Sequence, residues 1–157
     1  MDATKDPVVR DAKLDDVAEI CRFGEEHVPA HYTPLIGDEA AGQQVARYWN
    51  DDQITTAVTN GLVVVAEHDG RIVGVGQRGR RDSDHVIYKL YVEPGLRGHG
   101  IGPRLIDALS AHIDADVLYI EHFVENERAG AFYEREGFTI QRVEDGIVWR
   151  SRPLTRP

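Results

Sequence analysis

The run from Val86 to Ala115 constrains this chain more than any other part of it. A β-branched and aromatic segment, VIYKLYV, passes through Glu93-Pro94 into GLRGHGIG. It then enters a stretch in which Ile101, Leu105, Ile106, Leu109 and Ile113 recur on one helical face. The pattern predicts a strand, a glycine loop and a helix over Gly100 to Ala115. Glycines at 98, 100 and 102 let the backbone approach a ligand closely. A helix N-terminus adds unpaired N–H donors and about half a positive charge, so such a loop suits phosphate.

The remaining segments predict a mixed sheet with helices on both faces, an α+β class of about seven strands. Val8 to Ala12 reads as a short strand. Leu14-Asp15-Asp16 opens a helix carrying Val17, Ile20, Cys21 and Val28, which Pro29 and Pro34 are expected to end. A second helical stretch, Glu39 to Asn60, should break near Asn50-Asp51-Asp52. GLVVVAEHDGRIVGVGQ is a hairpin turning at Asp69-Gly70, and DHVIYKLYV is the next strand of its sheet. DVLYIEHFV, a helix over Asn126 to Glu136, and the strands FTIQRV and GIVWRSRPL complete the order. Neither a repeat nor a linker divides the chain, so one domain over residues 1–157 is expected.

Three phosphate loops can be separated by their residues. A Walker loop requires Gly-Lys-Ser/Thr, and no Lys stands here. A dinucleotide G-x-G-x-x-G fails in both registers, because Pro103 or Leu105 occupies the third glycine position. What remains is R-G-x-G-x-G after a strand ending in x-V-x-P. It resembles the acyl-coenzyme A loop of the GNAT acetyltransferase superfamily, matching at Arg97, Gly100 and Gly102. Beginning 24 residues after Gly102, the segment from Asn126 to Phe138 resembles the same family's N-x-x-A-x-x-F-Y-x-x-x-G-F at all six fixed positions. The resemblance is specific over Val86 to Phe138.

The resemblance implies a central, mostly antiparallel sheet splayed between the strands that flank the loop helix, and acetyl-CoA as co-substrate. By it, residues 86–138 hold acetyl-CoA and residues 1–60 shape the acceptor side. It places Leu90, Tyr91 and Val92 along the pantetheine arm. Arg97, Gly98, His99, Gly100, Ile101 and Gly102 fall at the pyrophosphate, Asn126 beside pantetheine, and Tyr133 at the departing thiolate as general acid. It offers Glu121 as general base, with Glu93 as second candidate and a water chain as the alternative. Plainer readings stand beside these. His99 can be solvated, Asn126 can be a helix cap, and Tyr133 can be a core residue with its hydroxyl tied to a carbonyl.

The implied chemistry is acetyl transfer to a primary amine of a small molecule. A lysine-like amine with pKa about 10.4 is neutral about once in 2,500 molecules at pH 7, a deficit of about 4.6 kcal/mol that a base must offset. Acetylation of protein N-termini or lysines, and a non-catalytic acyl-CoA sensor, are the competing readings. KLYVEPGLRGHGIG also resembles the polyamine-type branch of the family.

Charge narrows the partners. With 27 acidic against 18 basic side chains the net charge is −9, and only Arg78, Arg80 and Arg81 cluster, beside Asp82 and Asp84, so nucleic acid is not an expected partner. His27 and His31 are four apart, but a helix broken at Pro29 would not align them, and no metal is expected. The longest uncharged stretch, Ile54 to Ala66, is too short for a bilayer span, and MDATKDPVVR has no apolar signal core. With a single cysteine, Cys21, the chain is expected in the cytoplasm and away from membranes. An exposed edge among the last strands would support a homodimer.

Overall fold

A seven-stranded sheet organises the computed structural model, which describes residues 6–154. Residues 1–5, the first half of the MDATKDPVVR segment, and residues 155–157 lie outside the described residues. The strands are β1 (Val8–Asp11), β2 (Val63–His68), β3 (Arg71–Arg81), β4 (Asp84–Val92), β5 (Val117–Phe123), β6 (Thr139–Glu144) and β7 (Ile147–Pro153). The helices are α1 (Val17–Ile36), α2 (Asp38–Tyr48), α3 (Asp51–Thr59), α4 (Ile101–Ser110) and α5 (Glu127–Arg135). In space the strands run β1-β2-β3-β4-β5-β7-β6, the mostly antiparallel α+β arrangement expected.

Local chemistry accounts for the turns. Asp69 and Gly70 both take positive φ, 53° and 75°, as a two-residue hairpin between twisted strands requires. The break between α2 and α3 falls at Asn50, whose side chain accepts from the Gln53 N–H at 2.9 Å and caps α3.

One junction in the sheet is parallel. β4 and β5 pair only at His85–Leu118, Val86–Tyr119 and Ile87–Ile120, yet β4 runs on to Val92 and β5 to Phe123. Beyond Ile87 the two strands part, and the gap between them becomes the floor of a cleft. Two apolar clusters clamp the sheet on either side. One joins Ile101, Leu105, Ile106 and Leu109 of α4 to Ile87, Leu118, Ile120 and Phe138. The other joins Val17, Ile20, Phe23 and Val28 of α1 to Trp49, Ile54, Val65 and Val75. Each fully buried aliphatic side chain of this kind contributes roughly 1.5–3 kcal/mol of burial.

Two expectations are corrected. Pro29 and Pro34 do not end α1, which runs through both to Ile36. An interior proline costs about 3 kcal/mol, but the turns beyond Pro29 are fastened elsewhere. The Tyr32 and Tyr91 hydroxyls meet at 2.7 Å, and His31 meets Asn126 at 3.1 Å. The loop helix is shorter than Gly100 to Ala115. It ends at Ser110, and Ile113 packs on the same core from the turn that follows.

Candidate active site

A cleft of about 790 Å³ opens where β4 and β5 separate. Its first end is the glycine loop. Gly98 and Gly100 adopt φ of 84° and 82°, and a Cβ at either would meet nothing within 4 Å, so these positions are glycine for conformation and for an approaching ligand. Gly102 has a different reason. A Cβ there would stand 2.9 Å from the Phe132 ring, so its bareness seats α4 against α5. Arg97 lines this end together with Arg128. Burial and the nearby Arg128 cation hold the Arg97 guanidinium below its ordinary range, and among the described residues neither arginine has a carboxylate partner. Two like charges converging beside a helix N-terminus fit an anionic ligand such as a pyrophosphate.

The middle of the cleft carries the phenols. Leu90, Tyr91 and Val92 line it from β4, and Tyr133 from α5. Tyr133 is 9% exposed, and burial pushes its phenol well above the ordinary value. Tyr133 packs into the apolar cluster under α4, as a core residue would, but among the described residues its hydroxyl makes no hydrogen bond to a carbonyl or to any other group. Burial likewise raises Tyr91, whose hydroxyl is occupied by Tyr32.

Asn126 does two jobs. Its Oδ1 accepts from the Ala129 N–H at 3.2 Å, capping α5, and its Nδ2 lies 3.1 Å from His31 Nε2, while the Arg128 guanidinium lies 3.3 Å from His31 Nδ1. Burial, then the Arg128 and Arg97 cations, hold the His31 imidazole down at a pKa of about 4, so it is neutral near pH 7.

The far end is built by α2, α3 and the outer half of β4. Trp49, Gln44 and Gln53 face Gln77 and Lys89 there, and Glu121 lines the cleft from β5 with Arg81 at 3.8 Å. Trp49 can lie flat on α1 only because residue 24 is glycine, where a Cβ would stand 2.4 Å from its ring.

The structure thus gathers Leu90, Tyr91, Val92, Arg97, Gly98, Gly100, Ile101, Gly102, Glu121, Asn126 and Tyr133 around one space. His99 and Glu93 stand apart from it. His99 is exposed on the loop, and Glu93 pairs with Arg71 and lies 3.8 Å from His27 beside a separate recess of about 40 Å³. His27 and His31 do share a helix, contrary to the expected break, but they face different partners, and among the described residues no His/Cys/Asp/Glu group able to hold a metal occurs. Sequence reasoning missed His31, Tyr32, Trp49 and Lys89 as cleft residues. Only Lys89 carried a signal, as the one charge inside an apolar strand run.

Known proteins resemble this chain in sequence and in fold. The Acetyltransferase (GNAT) domain family matches residues 59–140. A 5-NmdU N-acetyltransferase of Pseudomonas phage PaMx11 is 35% identical over 135 residues, 85% of this chain and 87% of that protein. A mycothiol acetyltransferase of Propionibacterium freudenreichii is 30% identical over 146 residues, 88% of this chain, and the chain spans only 44% of that protein's length. In fold, a PaiA N-acetyltransferase from Thermoplasma acidophilum, solved with coenzyme A, superposes with a TM-score of 0.84 at 12% identity, covering 95% of this chain and 99% of that one. With the family's domain matching more than half its length and a relative of this extent, the chain belongs to the GNAT acetyltransferase family.

Proposed function

We propose that this protein is an acetyl-CoA-dependent N-acetyltransferase whose acceptor is a primary amine of a small molecule. The observation that carries the reading is the cleft itself. It runs unbroken from a glycine loop with two arginines that have no carboxylate partner among the described residues, past the unbonded Tyr133 hydroxyl, to the Glu121 carboxylate. The phage relative, covered over most of both chains, bears the name of an N-acetyltransferase. The chain acts as one acetyltransferase domain, with residues 1–60 on the acceptor side and 86–138 holding the co-substrate.

When bound, acetyl-CoA supplies the thioester carbon and a thiolate leaving group. The residues of this chain do the rest. The loop amides at Gly98 to Gly102 with Arg97 and Arg128 hold the pyrophosphate, and the parted edge of β4 at Leu90 to Val92 offers main-chain groups to the extended arm. Glu121 accepts the amine proton, directly or through water, which offsets the deficit of about 4.6 kcal/mol. Tyr133 donates to the thiolate. Its raised pKa keeps the phenol protonated but makes it a weaker acid than a free phenol, so its main contribution is a hydrogen bond to the developing charge. Glu93, held by Arg71 outside the cleft, has no part in this scheme.

The reading includes a cytoplasmic setting, supported by a lone, half-buried Cys21, and no helix among the described residues is long and apolar enough to cross a membrane. A second copy would pair at β6, the outer strand, where Ile140 and Val143 are exposed. Binding is tested by melting. Acetyl-CoA at about 100 times its dissociation constant should stabilise the protein by roughly 2.7 kcal/mol, and Gly100→Val should weaken the shift. A melting temperature unmoved by millimolar acetyl-CoA contradicts the proposal.

A further inference from the structure

The far end of the cleft holds a cation that the transfer scheme does not use. Lys89 sits on β4, in the middle of the sheet, and is 7% exposed. Its Nζ donates to Gln77 Oε1 at 2.9 Å and lies 5.2 Å from the centroid of the Trp49 ring. Among the described residues it has no carboxylate partner, so one of its three N–H donors is used and its charge is uncompensated.

A buried charge without a counter-ion is costly, and a strand reading V-I-Y-K-L-Y-V would pack as well with an aliphatic residue at that position. Burial pushes the Lys89 ammonium down to a pKa of about 8, which still leaves it mostly protonated at neutral pH. Its neighbours keep it available. Gln44 and Gln53 line the same end with neutral amides, and Trp49, fixed by the bare Gly24, offers a ring face in place of a carboxylate. The cleft therefore presents a carboxylate on β5 and an ammonium on β4 to one occupant.

We propose that Lys89, steadied by Gln77 and Trp49, is an anion subsite of the acceptor arm, so that the amine substrate also carries a carboxylate or phosphate, which pairs with Lys89 while its amine faces Glu121. The inference rests on the acetyl-transfer reading of this cleft. It also opposes a polyamine acceptor, which would set a second ammonium against Lys89 despite the net negative charge of the whole protein.

The test uses matched amines that differ by the anion alone, assayed with acetyl-CoA on the wild type, Lys89→Met and Lys89→Arg. The pairs are 4-(aminomethyl)benzoate against its carboxamide, 4-aminobutyrate against its amide, and phosphoethanolamine against ethanolamine. The first two pairs report a carboxylate and the third a phosphate. In the wild type the anionic member of at least one pair should be preferred by roughly tenfold or more in kcat/KM, chiefly through a lower KM. Lys89→Met should collapse that ratio, and Lys89→Arg should restore part of it. An equal ratio in wild type and Lys89→Met overturns the inference. A kcat loss in Lys89→Met that is the same for both members of every pair also overturns it.

Binding supplies an independent readout. With coenzyme A present, benzoate or inorganic phosphate should raise the melting temperature of the wild type and not of Lys89→Met. If neither anion shifts the wild type, Lys89 is no anion site. The transfer reading itself fails separately, by absence of a melting shift with acetyl-CoA alone.

Discussion

Gly24 and Trp49 are matched to each other: a Cβ on residue 24 would lie 2.4 Å from the indole Cε3 and 2.8 Å from its Cγ. Glycine inside a 20-residue helix is ordinarily a loss of up to about 1 kcal/mol relative to alanine. Here Gly24→Ala should destabilise the protein by about 1–3 kcal/mol in urea unfolding, because the overpacked ring outweighs the gain in helix propensity. The same variant should raise the KM of the amine more than that of acetyl-CoA, since Trp49 lines only the far end of the cleft. A more stable Gly24→Ala protein would contradict this packing account.

Tyr133→Phe removes one oxygen from a ring that packs against Phe132 and Phe138. The hydroxyl has no protein partner among the described residues, so its loss should change stability by less than about 0.5 kcal/mol. The rate constant for transfer should fall by about 10- to 100-fold, toward the lower end for acid catalysis because burial has raised the phenol. Unchanged turnover by the folded variant would leave Tyr133 a packing residue.

His31 makes acid stability a test of the cleft's electrostatics. Its pKa is about 4 in the folded protein, against an ordinary 6.5, so the unfolded chain binds the extra proton first as pH falls. Its contribution to stability is fully present above about pH 6.5 and is lost on the way down to pH 4. Discounted for its partial exposure, the loss amounts to about 1–2 kcal/mol. Unfolding of wild type and His31→Gln, compared at pH 7 and pH 4, should show the wild type losing that much more. Parallel losses would mean that His31 titrates normally.

The elements were legible wherever one local signal dominated. Asp69-Gly70 set its hairpin, Asn50 its cap, and the GLRGHGIG loop its place at the mouth of α4. Pro29 misled because proline reports only the local loss of a hydrogen bond. The fastening of Tyr32 to Tyr91 and of His31 to Asn126 spans 59 and 95 residues of sequence, which no local pattern displays. Glu93 and Glu121 show the same limit within the site. Both flank the motif region, and their separation into an outer ion pair and a cleft carboxylate depends on how β4 and β5 part.

Thiol release from acetyl-CoA, followed with a panel of amines on the wild type and on Glu121→Gln, tests the central claim most directly. The account predicts one equivalent of thiol per N-acetylated amine with a small-molecule acceptor. It also predicts a rate loss of about 10²–10⁴-fold in Glu121→Gln at pH 7 that narrows at pH 9.5, where more of the amine is already neutral. Glu93→Gln, altered outside the cleft, should show no such pH-dependent defect. Thiol release that no small amine stimulates, in a protein that binds acetyl-CoA, would contradict the account.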